Sequence, residues 1–243
     1  MTNPIVPGEG TLVGRVQMPG QTLPRVVTVR GGEVVDITSK AAPTVRDIAE
    51  MADPARYVSG AAGVLVGGLD ALLASSAAGA RDGSRPVLLS PIDLQAVKAA
   101  GVTFVVSLLE RVIEEQARGD KARADALRTD ILSLIGTDLS QLVPGSDAAM
   151  QVKATLIEKG VWSQYLEVGI GPDAEIFTKC QPMASVGFGA DVGILPISEW
   201  NNPEPEVAFV VASTGRIVGA TLGNDAGLLG GARLAFLAAH HGT

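Results

Sequence analysis

Apolar residues fall into short β-prone runs at the start of the chain and recur at helical spacing in its middle. From Gly14 to Ile37 the segments GRVQM, PRVVTVR and EVVDIT are rich in Val and Thr. Gly-containing turns such as Arg30-Gly31-Gly32 part them, which predicts a small β unit. Thr44 then precedes VRDIAEMA, with Asp47 three residues on, where a carboxylate favours the positive end of a helix; a capped helix is expected there. Val58 to Ala80 reads as a buried helix, because Asp70 and the many Gly and Ala residues make it a poor span for ~30 Å of hydrocarbon. The turn-rich GARDGSRP after it predicts a domain boundary near residue 86, with a small β/α domain over 1–86 and a larger one over 87–243.

In the second part, VLLSPIDLQAV is strand-like. From Leu108 to Ile135 apolar residues at 108, 109, 112 and 113, and then Leu127, Ile131, Leu132 and Ile135, predict helix, with a break at Gly119-Asp120. Another helical run follows Pro144-Gly145-Ser146 and ends at Gly160. Trp162 to Gly223, punctuated by Gly and Pro, reads as strand and loop, and the last stretch reads as a short apolar helix. The fold class expected is α+β and rich in β structure.

Composition narrows the function. With 47% hydrophobic residues in 243, the chain can bury a substantial core. Charged residues make up 19%, the net charge is −7, and there is no block of like charge, which argues against nucleic acid or an anionic membrane as partner. A small-molecule ligand is the better expectation. The single Cys180 forms no internal disulfide, and MTNPIVPGEG has neither the basic start nor the apolar run of a secretory signal, so a cytoplasmic location is expected. Glycines at 60, 63, 67 and 68 do not make a GxGxxG fingerprint, and no Lys-Ser or Lys-Thr follows as in a P-loop. His240 and His241, adjacent in the last four residues, read as a tail rather than a metal site.

The chemistry concentrates in Asn201-Asn202-Pro203-Glu204-Pro205-Glu206-Val207. On a strand, residues two apart project from one face, so Glu204 and Glu206 would point into one site. Two anions so close repel unless a cation or a shared proton lies between them. Hard oxygen ligands suit Mg2+, with Mn2+ or Ca2+ as alternatives, and Pro205, which lacks a ladder donor, suits an edge strand or a strand mouth. From spacing alone, two ordinary surface glutamates account for the pattern as well.

The surroundings carry a resemblance. Glu204-Pro205-Glu206, a hydrophobic strand, the turn Ser213-Thr214-Gly215-Arg216, a second strand IVGATLGN and then Asp225 resemble the metal-ligand arrangement of the fumarylacetoacetate hydrolase family. The strings SPIDLQAVKAAGVTFVVSLLERVIEEQARGD, WSQYLEVGIGPDAEIFTK and WNNPEPEV are similar to blocks of its dehydratase branch, which acts on 2-keto-3-deoxy sugar acids. The resemblance runs from about residue 86 to Asp225. It implies a mixed β roll preceded by a small N-terminal domain, a metal held by Glu204, Glu206 and Asp225, a keto acid substrate and a homo-oligomer. At Thr103-Phe104-Val105-Val106-Ser107, hydrolases of the family carry a His where this chain has Ser107, and Glu110 keeps the family's Glu. Serine is no general base near neutral pH, so the resemblance implies a magnesium-dependent dehydratase, with an acylpyruvate-type carbon–carbon hydrolase as the alternative. It further implies Lys179 as the cation that orients the substrate carboxylate, Glu110 as acid or base, and Ser107 as a substrate contact. Past Asp225 the chain has AGLLGGARLAFLAAHHGT where the family continues its β-rich domain, so an incomplete roll and a non-catalytic fragment are expected as the other outcome.

Overall fold

The computed structural model describes residues 10–101, 104–135, 142–173, 175–194, 196–197, 203–224 and 237–239. The chain forms two compact units, one of residues 1–97 with 179–243 and one of residues 98–178.

The first unit is built on an antiparallel sheet in the order β4-β3-β2-β1-β10-β9-β8. Its strands are β1 (Thr11–Gln17), β2 (Arg25–Arg30), β3 (Glu33–Asp36), β4 (Val64–Gly68), β8 (Pro205–Val211), β9 (Ile217–Asn224) and β10 (Leu237–Ala239). One edge of β1 pairs with β2, and the other is shared between β10, opposite Thr11 to Val13, and β5 (Val87–Leu89), opposite Arg15 to Gln17. Residues on both sides of position 86 therefore lie in one unit. The expected strands of the first 37 residues form as the Val- and Thr-rich runs require. Helix α1 (Val45–Ala49) begins at Thr44 with a reciprocal cap: Asp47 N–H donates to Thr44 Oγ1, and Thr44 N–H donates to the Asp47 carboxylate.

Val58 to Ala80 is not one helix. It divides into the end of α2 (Pro54–Gly60), strand β4 and helix α3 (Leu69–Ser76). Glycine is the cause: a Cβ on Gly63 would lie 2.4 Å from Asp36 O, so only a bare backbone admits this approach to β3, and Gly67 sits at φ +156°. The apolar packing of β1, β2, α1 and α2 encloses Ile37, Val45, Ile48 and Val58, and Val210, Ala212 and Val218 of the β8–β9 hairpin join that core. A second cluster sets α3 against β1 and β5 through Leu69, Leu72, Leu73, Val16 and Leu88.

The second unit is helical. Helix α4 (Val105–Ala117) and helix α5 (Lys121–Ile135) part at Arg118, which is left-handed, and at Gly119, as the sequence break predicts. Among the described side chains of α4 the buried ones are Val105, Leu108, Leu109, Val112, Ile113 and Ala117, a stripe at i, i+3, i+4, i+7, i+8 and i+12. Helix α6 (Asp147–Glu158) starts at the Ser146 cap and adds Ala149, Val152 and Leu156 to the same core. Helix α7 (Gln164–Ile170) stands where strand and loop were expected. Leu166 and Ile170, four apart and fully buried, supply the tertiary packing that overrides the helix-weakening Gly169. Strands β6 (Val97–Ala100) and β7 (Ile176–Cys180) pair where the chain passes between the units. Of the stretch expected as an apolar helix at the end of the chain, Leu237–Ala239 is strand, and the rest, His240 and His241 included, lies outside the described residues.

Candidate metal centre

The acidic motif sits at the mouth of a hairpin. β8 and β9 pair antiparallel from Pro205 opposite Asn224 to Val211 opposite Ile217, with a register shift at Val210/Val211. Among the described residues β8 closes one end of the sheet order, and Pro205 is its first residue, the place where a missing N–H does least harm to the ladder. Side chains alternate along β8: Ala208 and Val210 pack on the core, whereas Val207, Phe209 and Val211 are more than half exposed. That alternation puts Glu206 on the side of Ala208 and Val210, and Glu204 directly precedes the first residue of the strand. Both glutamates are exposed, and neither carboxylate has a hydrogen-bond or ion-pair partner among the described residues.

Asn224 ends β9, so Asp225 follows the residue that faces Pro205; Asp225 itself lies outside the described residues. Among the described residues no three His, Cys, Asp or Glu side chains form a cluster. The donor set nevertheless fits a hard divalent ion: two unpaired carboxylates two residues apart at a solvent-accessible strand end, with a third one residue beyond the opposing strand.

The hairpin is fastened at its other end. The Ser213 N–H and hydroxyl donate to the Glu50 carboxylate at 3.0 and 2.7 Å, and these hydrogen bonds hold the Glu50 pKa below its ordinary value. Arg216 donates back to the carbonyls of Met51 and Ala52, just past the end of α1. Charge-assisted bonds thus run in both directions between α1 and the 212–216 turn.

The other expected residues lie apart from this hairpin in the chain. Lys179 and Cys180, both partly buried, end β7 in the first unit. Ser107 and Glu110 belong to the second unit. Ser107 is exposed in the first turn of α4. Glu110 accepts Nε and Nη2 of Arg128 on α5 at 2.8 and 2.7 Å, and those bonds lower its pKa. Arg128 also binds Asp125 at 2.7 Å. Arg128, Glu50 and Asn224 were not singled out from the sequence. A signal existed for Asn224 alone, which directly precedes Asp225.

The fold is α+β, of the fumarylacetoacetate hydrolase type seen in sugar-acid dehydratases. Two solved structures share it over 94% of this chain: 2-keto-3-deoxyarabinonate dehydratase, at TM-score 0.54 and 18% identity, and 2-keto-3-deoxy-D-arabinonate dehydratase complexed with magnesium and 2,5-dioxopentanoate, at 0.55 and 17%. The sequence resembles 2-dehydro-3-deoxy-D-arabinonate dehydratase of Saccharolobus solfataricus, 45% identical over 51 residues, which are 21% of this chain and 17% of that protein. It also resembles a probable 2-keto-3-deoxyxylonate dehydratase of Haloferax volcanii, 30% identical over 134 residues, 55% of this chain and 44% of the relative. The matches thus span less than half of either curated relative, and the chain spans 66% of each solved one. No family model matches the chain.

Proposed function

We propose that this chain is a magnesium-dependent dehydratase of a 2-keto-3-deoxy sugar acid, with the β8–β9 hairpin as its metal-binding element. The observation that carries the reading is the register that sets Asn224 opposite Pro205, the residue between Glu204 and Glu206, while Asp225 follows Asn224 in the sequence. The names of the relatives and the magnesium in one solved neighbour support it.

A bound magnesium ion, for which manganese could substitute, would draw electron density from the keto oxygen and so acidify the neighbouring C3 proton. The rest falls to the chain. Lys179, a compact cation at the end of β7, orients the substrate carboxylate as a point charge. Glu110 takes the C3 proton; Arg128 keeps its carboxyl ionised, and their pair has to open before it accepts one. The C3–H electron pair becomes the C3–C4 double bond, and the C4 hydroxyl leaves with a proton as water. For a pentonate this leaves a 5-hydroxy-2-keto-3-ene acid; loss of a C5 proton turns it into a dienol, and protonation at C4 and C3 with loss of the two enol protons gives a 2,5-dioxo acid. Ser107 is a substrate contact in this scheme and not a base, which sets the hydrolase reading aside.

A homo-oligomer fits the exposed apolar side chains of Val207, Phe209, Val211, Ile217 and Leu222 on the hairpin. The cytoplasm fits a chain with one cysteine, and among the described residues no helix is long and apolar enough to cross a membrane. The test is incubation of the chain and magnesium with synthetic 2-keto-3-deoxypentonates. Aldehyde should appear with the wild type and fall sharply with Glu204→Gln. An absence of aldehyde from the folded, magnesium-loaded wild type, with each pentonate epimer, would sink the reading.

A further inference from the structure

The register at the hairpin mouth leaves one position without a regular ladder bond. Pro205, opposite Asn224, has no N–H to give, and Glu204 lies before the first residue of β8. The Asn224 side chain fills the place. Its Oδ1 accepts the backbone N–H of Glu204 at 2.8 Å. We infer that Asn224 is a positioning residue for the divalent cation, fixing the Glu204 backbone while the chain leads in the next residue to Asp225. The inference rests on the metal-site reading above.

One side chain then ties both arms of the ligand set together, Glu204 by a hydrogen bond and Asp225 by the peptide bond. Without that bond Glu204 has no described tie to β9, and the end of the strand frays before the carboxylates can converge. A neutral amide is the suitable acceptor. An aspartate would accept equally well, but it would add a fourth negative charge beside Glu204, Glu206 and Asp225 in the metal-free chain. Partners that orient metal ligands are commonly worth about 10- to 100-fold in metal affinity.

The experiment is titration of the full chain with Mn2+, followed by the electron paramagnetic resonance of the free ion. It compares the wild type, Asn224→Leu, Asn224→Asp and Glu204→Gln. Circular dichroism melts in EDTA report the fold without metal. Leucine keeps the shape of asparagine without its acceptor, so Asn224→Leu should bind about 10- to 100-fold more weakly while its metal-free melt is unchanged. Asn224→Asp keeps the acceptor and should bind at least as tightly as the wild type, although its metal-free melt falls. A merely structural residue would not separate the two measurements in this way. If Asn224→Leu binds like the wild type while Glu204→Gln does not, this inference fails alone. If the wild type binds no Mn2+, the metal-site reading fails and takes the inference with it. Should Asn224→Leu not fold in EDTA, Asn224→Asp decides: loss of binding there overturns the inference.

Discussion

Arg128 grips Glu110 at two points, Nε on Oε1 and Nη2 on Oε2, across the gap between α4 and α5. These hydrogen bonds stabilise the ionised carboxyl and lower its pKa. The sign follows: a depressed folded pKa adds stability above the unfolded value, near pH 4, and that stability is lost as pH falls through the folded value. Arg128→Met should therefore flatten the acid limb of the stability profile of the helical unit. It should also raise the Glu110 pKa toward the ordinary value. If Glu110 moves the substrate proton, the acid limb of kcat/KM shifts upward in the same variant. A limb that stays in place in Arg128→Met removes Glu110 from the chemistry and leaves it as half of a helix-to-helix tie.

Glu50 sits at the other end of the β8–β9 hairpin and invites a similar test. Ser213 donates two hydrogen bonds to its carboxylate, which lowers its pKa, so this bond contributes above the ordinary carboxylate range and fades below it. Glu50→Gln should lower the melting temperature near pH 7 and leave it closer to the wild-type value in acid. Arg216→Met should act at both pH values, because the guanidinium stays charged throughout. Equal losses at both pH values in Glu50→Gln would show that the hydrogen-bond geometry, not the charge, holds the turn.

A third charged feature is buried. Arg15 donates to the carbonyls of Ser90 and Ile92 and lies 3.5 Å from Asp93, while Asp93 accepts the N–H groups of Val45 and Arg46 at the start of α1. Both side chains are almost wholly enclosed, and burial lowers the Arg15 pKa, with Asp93 opposing that shift. Removing one partner leaves an uncompensated buried charge. Asp93→Ala should cost about 3–5 kcal/mol in urea unfolding, against about 1 kcal/mol for an ordinary lost helix cap. A loss near the lower figure would mean that water reaches Arg15 once Asp93 is gone.

The sequence made the local features readable where short-range rules decide. Thr44 with Asp47, the stripe along α4, the break at Gly119 and the hairpin turn from Ser213 to Arg216 are all set by neighbours a few residues away. Features set by distant packing were misread. Gly63 admits β4 against β3 only because of a strand far earlier in the chain, and α7 is stabilised by the α4 and α6 surfaces that Leu166 and Ile170 meet. At the candidate metal centre, the spacing of Glu204 and Glu206 was visible, and so was a hairpin leading to Asp225. The Asn224 tie was not, since it depends on a register that only the paired strands reveal. Nor was the Arg128 grip on Glu110, which joins positions 18 apart on two helices.

The decisive measurement for the candidate metal centre is thermal. A ligand that binds only the folded chain stabilises it by RT ln(1 + [L]/Kd), about 2.7 kcal/mol at a hundredfold excess over Kd. Glu204 and Glu206 are exposed and unpaired among the described residues, so in the metal-free chain their mutual repulsion is relieved only by solvent. Magnesium or manganese should therefore raise the melting temperature of the wild type, and the gain should grow with the logarithm of concentration once the site fills. Glu204→Gln and Glu206→Gln should each remove most of that gain. In EDTA the same variants should melt at or slightly above the wild-type temperature, because each removes one of two neighbouring charges. This opposite response separates a ligand from a residue that merely supports the strand, whose loss would lower both melts. A wild-type melting temperature that ignores millimolar magnesium and manganese would leave Glu204 and Glu206 as ordinary surface glutamates on an edge strand.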